Sequence, residues 1–441
     1  MEEKKRADYP SIFDYPQFCT PVGIAAGEER RKKHKGETKR FVGVDLSKQN
    51  CHICIIDRQG MIVLHTWCSL RSTQRNKLYD VLEEGDLVLM EASTGTFNIA
   101  RAMNKMPGVV ACVVNPHATR INQTKKKTDR EDSLFLARLL LRTPVEELQL
   151  VSIPSDQEMA HRDTISHYRK IDESHTQQVN RLHALFFEKG FPEAGKSYNL
   201  HLKIGRASAI EACFGADRTL APSKRIAKEL SMQLTLLEEL QERGKKQLAK
   251  IVKSDDRTAT LLGSIPGVGL KTIASFIAFV GDIDRFHSAK QLSAYCGLVP
   301  RVYQSGQKDA ARKISKEGQA ALRGYLIESV FAMTKTNFDF PLKRKYQDFR
   351  ERMGARKAAV AIARKLVTMM YSMLKHGTIF TVEDAEEQQD VVAYHARKQL
   401  QVIGRYNQIR QSCKAYPDMV AATNSMVINE LGVFKISYQG A

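Results

Sequence analysis

The chain has 441 residues, too many for one ordinary core and enough for two or three domains. Hydrophobic residues at 43% make it globular, and 68 Lys and Arg against 49 Asp and Glu leave a formal charge of +19, which favours a polyanionic partner, nucleic acid first. A membrane-spanning class is excluded at this level, because no apolar run approaches the ~20 residues a span requires, and "MEEKKRADYP" at the start holds no apolar signal core; a cytoplasmic location is expected.

Residues 1–39 are charged and irregular and end in "EERRKKHKGETKR", a basic arm ahead of the first domain. From Phe41 the pattern changes: "FVGVDLS", "CHICIID" and "MIVLHTWCS" are β-rich runs with short joins and predict a meander. A helix around Asn76 to Glu84 follows, then a strand "DLVLMEAS", a helix "TFNIARAMNKM", a strand "VVACVVNP" and a helix in "KKKTDREDSLFLARLLL". Strands first, then alternating helices and strands, predict a mixed α/β sheet over residues 40–150. The C-x-x-C of Cys51 and Cys54 lies within one of these strands; its odd separation sends the two thiols to opposite faces, so they are expected to pack and not to bind zinc.

Residues 155–258 carry no strand signal and are rich in Gln, Glu, Lys, Arg and Leu, which predicts long helices paired antiparallel or as an intermolecular coiled coil. Residues 259–380 become compact again, through "SIPGVGLKTIASFIAFVGDIDRF", "QLSAYCGLVPRVYQSGQKDAARKISKEG" and the helix "QAALRGYLIESVFAMTK". Residues 381–441 form a polar, weakly patterned extension.

Acids mark the first domain. Asp45 ends one strand and Glu91 another, at the strand ends where ligands gather in open α/β sheets. On a helical wheel Asp132 falls with Phe135, Leu136 and Leu139, and Asp129 lies beside Leu136 and Leu140. The T-x-x-E pattern of Thr128 and Glu131 is a capping box and accounts for Glu131. Asp132 on the buried side needs cations, donors or a metal. Four carboxylates brought together would call for divalent cations between them, and hard oxygens suit Mg²⁺ or Mn²⁺, which polarise a phosphodiester.

In the third region, "IPGVGLKTI" has the form of a helix-hairpin-helix, its Gly267 to Gly269 turn exposing N–H groups for a DNA phosphate with Lys271 close by. A plain turn between helices is the competing reading. Ser305 stands beside Gly306 among Arg301, Lys308, Arg312, Lys313 and Lys316. No G-x-S-x-G elbow surrounds it, so acyl chemistry is unsupported, whereas a serine attacking phosphate needs such cations to hold the charge.

Taken together, "GVDLSK", "MEASTGTF" and "KKKTDREDS" resemble the DEDD motifs of the IS110 family of insertion-sequence transposases, related to the Piv invertases. "SIPGVGLKTI" and "AYCGLVPRVYQSGQK" with the following "RKISKEGQAALRGYLIES" resemble that family's C-terminal transposase domain. The resemblance spans roughly residues 40–380. It implies a RuvC-like (RNase H-fold) α/β domain, a helical or coiled-coil middle, and a mainly α transposase domain with a nucleophilic serine. Motif by motif, it makes Asp45, Glu91, Asp129 and Asp132 the metal-binding catalytic acids and Ser305 the nucleophile. Gln304 stands where many relatives carry a second serine. The implied protein is a DNA recombinase working on donor and target DNA as a dimer or tetramer, with a structured bridge RNA as guide. Two other readings stand beside it: a RuvC-like nuclease or junction resolvase using metal-activated water, and a non-catalytic architectural DNA binder.

Overall fold

The computed structural model describes residues 39–71, 76–116, 128–215, 218–299, 314, 318–382 and 387–395. Strands β1 (Arg40–Leu46), β2 (Asn50–Ile56), β3 (Ile62–Ser69), β4 (Asp86–Glu91) and β5 (Val110–Val114) form one five-stranded sheet in the order β3-β2-β1-β4-β5. β1, β2 and β3 are a consecutive antiparallel meander, while β4 and β5 run parallel to β1. β1 and β4 lie inside the sheet with both faces covered, which is why their sequences are nearly unbroken apolar runs.

Helices cover both faces. Leu78 of α1 (Asn76–Asp80) and Ile99, Ala100 and Met103 of α2 (Thr96–Met103) pack on one side with Val42, Val44, Val88 and Met90. Leu136, Ala137 and Leu140 of α3 (Asp129–Arg142) pack on the other with Phe41, Cys54, Leu87, Leu89 and Cys112. Cys51 and Cys54 do fall in these two separate clusters, and the Cys51 thiol meets Cys68 at 3.1 Å. The helix expected to reach Glu84 ends at Asp80, where the chain turns into β4.

Beyond the sheet the described chain is helical. α4 (Asp156–Glu188) and α7 (Ala221–Lys253) are 33 residues each. They run antiparallel: Phe186 packs with Ala227 and Leu230 near one end, and Gln241 donates to Asp172 further along. Ser155 and Glu158 form a complete capping box at the head of α4. The short α5 (Ala194–Ser197) and α6 (Lys203–Phe214) close the far end, where Phe186 stacks on Phe214. α9 (Leu270–Phe279) and α10 (Ala289–Tyr295) follow later in the chain, and Arg162 of α4 donates to the Ala278 carbonyl of α9 at 2.9 Å.

The chain divides into two contact units, one of residues 1–255 and 270–323, the other of 256–269 and 324–441. In the second, α8 (Asp256–Gly263) is tied to α13 (Ala355–His376) by Arg257, which donates to the Leu374 carbonyl. α11 (Ala320–Thr334) enters this unit, and α12 (Pro341–Met353) joins α13 through Gly354, whose φ of 81° is left-handed. No helix among the described residues is long and apolar enough to cross a membrane.

Candidate active site

Strand register sets the site. Val44 pairs with Met90 in the parallel β1–β4 ladder, so Asp45 and Glu91, one residue further on, emerge side by side at the same end of the sheet. Asp45 pairs with His52 across β1–β2, and His52 with Trp67 across β2–β3. Directly paired residues point to the same face. Glu91, Asp45, His52 and Trp67 thus form one row across four strands, spaced about 4.8 Å strand to strand.

That face is the one α3 covers. A Cβ on Gly43 would stand 1.9 Å from the Ser133 carbonyl oxygen and 2.5 Å from the Ala137 nitrogen, so the helix backbone lies directly on β1 there. Asp45, two residues along, shares the face. Near the opposite end of the sheet Leu141 approaches Gly60, so α3 runs with its N-terminus toward the acid row. Thr128 caps it, its hydroxyl accepting from the Glu131 N–H. Asp132 is 6% exposed, next to Ser133 and Leu136 on the inner side, as the helical wheel required. Asp129 is half exposed and lies 3.8 Å from His52 Nε2.

His65 fixes the first turn of α3. Its Nε2–H donates to the Arg130 carbonyl at 3.1 Å and lies 3.2 Å from the Ser133 hydroxyl, which itself donates to that carbonyl. Burial and the nearby Arg130 charge hold the His65 imidazole below its ordinary pKa, favouring the neutral ring.

Asp45, Glu91, Asp129 and Asp132 therefore share one end of one sheet face. Their oxygens suit a hard divalent ion in kind. Among the described residues, no three His, Cys, Asp or Glu side chains are drawn together closely enough to hold a metal as they stand. Sequence reasoning missed His52, His65 and Trp67; the signal was present as period-two alternation, since 52 and 54, like 65 and 67, must share a face of their strands.

The turn of residues 264–269 connects α8 and α9. Gly267 has φ 87°, and a Cβ there would meet the Met333 backbone at 2.6 Å, so the residue is required by packing as well as by the turn. Gly269 has open space around it. Lys271 is paired with Asp172 and lies 5.3 Å from the Tyr168 ring centre. Ser305, Arg301, Lys308, Arg312, Lys313 and Lys316 lie outside the described residues.

Family comparison assigns the class. Residues 42–190 match the DEDD transposase model, and residues 259–347 match the model of the IS116/IS110/IS902 transposase family. The chain is a transposase, an enzyme of DNA strand cleavage and transfer. It belongs to the IS110 family of mobile-element transposases. The transposase for insertion sequence element IS1111A of Coxiella burnetii is 27% identical, the match covering 80% of this chain and 93% of that one. The pilin gene-inverting protein of Moraxella bovis is 25% identical over 78% of this chain and 98% of its own length. The IS1328 transposase of Yersinia enterocolitica is 23% identical over 77% and 98%. The DEDD family implies use of a divalent metal.

Proposed function

We propose that this transposase joins DNA through a transient phosphoserine, with Asp45, Glu91, Asp129 and Asp132 as the metal-holding acids and Ser305 as the nucleophile. The observation that carries the reading is the meeting of Asp45 and Glu91 with the N-terminus of α3 at one end of the sheet. The strand order, a meander followed by parallel crossovers, supports a RuvC-like (RNase H-fold) assignment for residues 40–150. Mg²⁺ or Mn²⁺ at the acids would supply charge neutralisation at the scissile phosphate. Ser305 Oγ forms a bond to phosphorus and gives up its proton, while the bond from phosphorus to a deoxyribose oxygen breaks and that oxygen takes a proton. The phosphodiester energy stays in the serine link, ready for rejoining. Arg301, Lys308, Arg312, Lys313 and Lys316 stand near Ser305 in sequence and suit the phosphate charge.

The turn of Gly267 and Gly269 is read as a helix-hairpin-helix phosphate contact; use of Lys271 there competes with its bond to Asp172. A structured guide RNA and a homo-oligomer, dimer or tetramer, complete the reading and rest on family resemblance and on the +19 charge.

End-labelled DNA, denatured after reaction, provides the test. Wild type is expected to carry label with protein, and Ser305→Ala to bind DNA but form no such band. Asp132→Asn, which keeps size and removes one charge, is expected to lower cleavage by orders of magnitude with the fold retained. A band that survives in Ser305→Ala would move the nucleophile elsewhere. Cut DNA that never carries a band would favour the water-using nuclease. Full activity of rigorously RNase-treated protein would remove the guide RNA.

A further inference from the structure

Trp67 is the chain's single tryptophan, and it is 61% exposed on β3, the edge strand of the sheet. Its neighbour Cys68 is buried on the opposite face, so the indole is committed to the face that holds the acids. It ends the row Glu91, Asp45, His52, Trp67, two strands from Asp45 and hence about 10 Å away. α3 does not cover it, although His65, two residues earlier on the same face, is held by the first turn of α3.

The surroundings are cationic. Lys48 lies between β1 and β2 and Arg71 just after β3, and the Leu70 N–H donates to the Gln49 carbonyl, bringing these two segments together. Arg130 lies in the first turn of α3. All three cations are exposed, and among the described residues none is drawn into an ion pair. An exposed flat aromatic surface flanked by unpaired cations, in line with phosphate-directed acids, has the composition of a single-strand nucleic-acid platform: bases stack, cations follow the backbone.

We propose that Trp67 is a nucleobase-stacking residue that seats the base next to the scissile phosphate of an unpaired strand, with Lys48, Arg71 and Arg130 along its backbone. This rests on the assignment of Asp45 and Glu91 to the reacting phosphate. Stacking is indifferent to base identity, so the platform holds the strand in place without reading its sequence. It selects an opened strand over an intact duplex, whose bases present no free face.

Because Trp67 is the only tryptophan, its emission reports the site in the full-length protein. A short mixed-sequence DNA single strand, its duplex and the equivalent RNA strand serve as probes, with anisotropy of labelled copies measuring affinity independently. Single-strand binding is expected to quench Trp67, duplex to quench it less, and the comparison of DNA with RNA identifies the preferred backbone. Trp67→Ala is expected to weaken single-strand binding roughly five- to 100-fold and Trp67→Phe to restore most of it. The exposed position makes both variants fold normally, which a melting curve checks. Unchanged emission at saturating strand, or full affinity in Trp67→Ala, overturns the proposal. So does emission that changes on protein dilution alone, which would place the indole between two copies of the chain. Asp45→Asn separates the two readings: quenching with loss of cleavage supports both, whereas quenching with intact cleavage retains the stacking site and removes the acids it was aligned to.

Discussion

Arg206 is fully buried, and its guanidinium is satisfied by Glu238 at 2.6 and 3.0 Å, by Ser231 and Thr235 hydroxyls and by the Leu200 carbonyl. Burial opposes ionisation of Glu238, but the Arg206 bond and charge outweigh it, and its carboxyl titrates below the ordinary range. A carboxyl depressed in the folded state stabilises above its unfolded pKa, about 4.5, and that contribution is lost as pH falls through the native value. Arg206→Ala leaves the Glu238 charge without its main partner and should cost about 3–5 kcal/mol, read as a lower midpoint in denaturant. Replacing Arg206 and Glu238 together by Met should recover most of that loss and remove their share of the acid sensitivity. A double variant as unstable as Arg206→Ala would mean that lost packing, and not the stranded charge, sets the cost. His65 loses its contribution in the same direction, over a higher pH range. Its imidazole is depressed by burial and by Arg130, so its contribution is present above about pH 6.5 and is lost as pH falls toward the native value. Since burial and the Arg130 charge oppose protonation of a ring packed on that turn, hydrogen exchange in the first turn of α3 should quicken over that acid range and stay flat in His65→Gln.

Among elements, the contact between β1 and α3 decides the site, and Gly43 makes it possible. Any side chain there enters the helix backbone at the Ser133 carbonyl, so Gly43→Ala must push away the helix that carries Asp129 and Asp132. Overpacking of this kind costs about 1–3 kcal/mol, and a shift of even an ångström should lower cleavage 100-fold or so. Equal cleavage by Gly43→Ala with unchanged melting would show that α3 is free to move without consequence. The strands were legible because central, two-face burial leaves β1 and β4 as apolar runs and because Glu91 ends β4 and Asp45 stands one residue before the end of β1. The inner position of Asp132 was legible from helical period alone. The alignment of Asp45 with Glu91, and of His52 with Trp67, was not: register depends on pairing between strands distant in sequence, which no local pattern carries. Nor was the full length of α4, whose first half, "DQEMAHRDTISHYRKID", buries only Ile165, Tyr168 and Ile171 and reads as polar.

At the scale of the molecule, the +19 charge is the property most directly tied to DNA, and its distribution makes a quantitative prediction. α13 contains five Lys and Arg residues and no acid over 22 residues. Its inner face is apolar, with Ala359, Ile362, Leu366 and Met370 buried, while Arg356, Lys357, Arg364 and Lys365 are exposed. Among the described residues these four enter no ion pair, and none of those residues offsets their mutual repulsion by direct pairing. Cations left unpaired on one helix suit a phosphate backbone, and each phosphate neutralised releases counterions from the nucleic acid. DNA affinity should fall linearly with salt on a log–log plot, and changing all four to Ser should reduce that slope by up to about 0.9 for each true contact. Because exposed surface substitutions change stability by less than about 0.5 kcal/mol, the variant should melt like wild type. Steady loss of slope without loss of preference among DNA sequences would identify α13 as a positioning surface. A slope unchanged from wild type would assign the salt dependence to other cations of the chain, and the α13 face would then carry no part of the DNA contact.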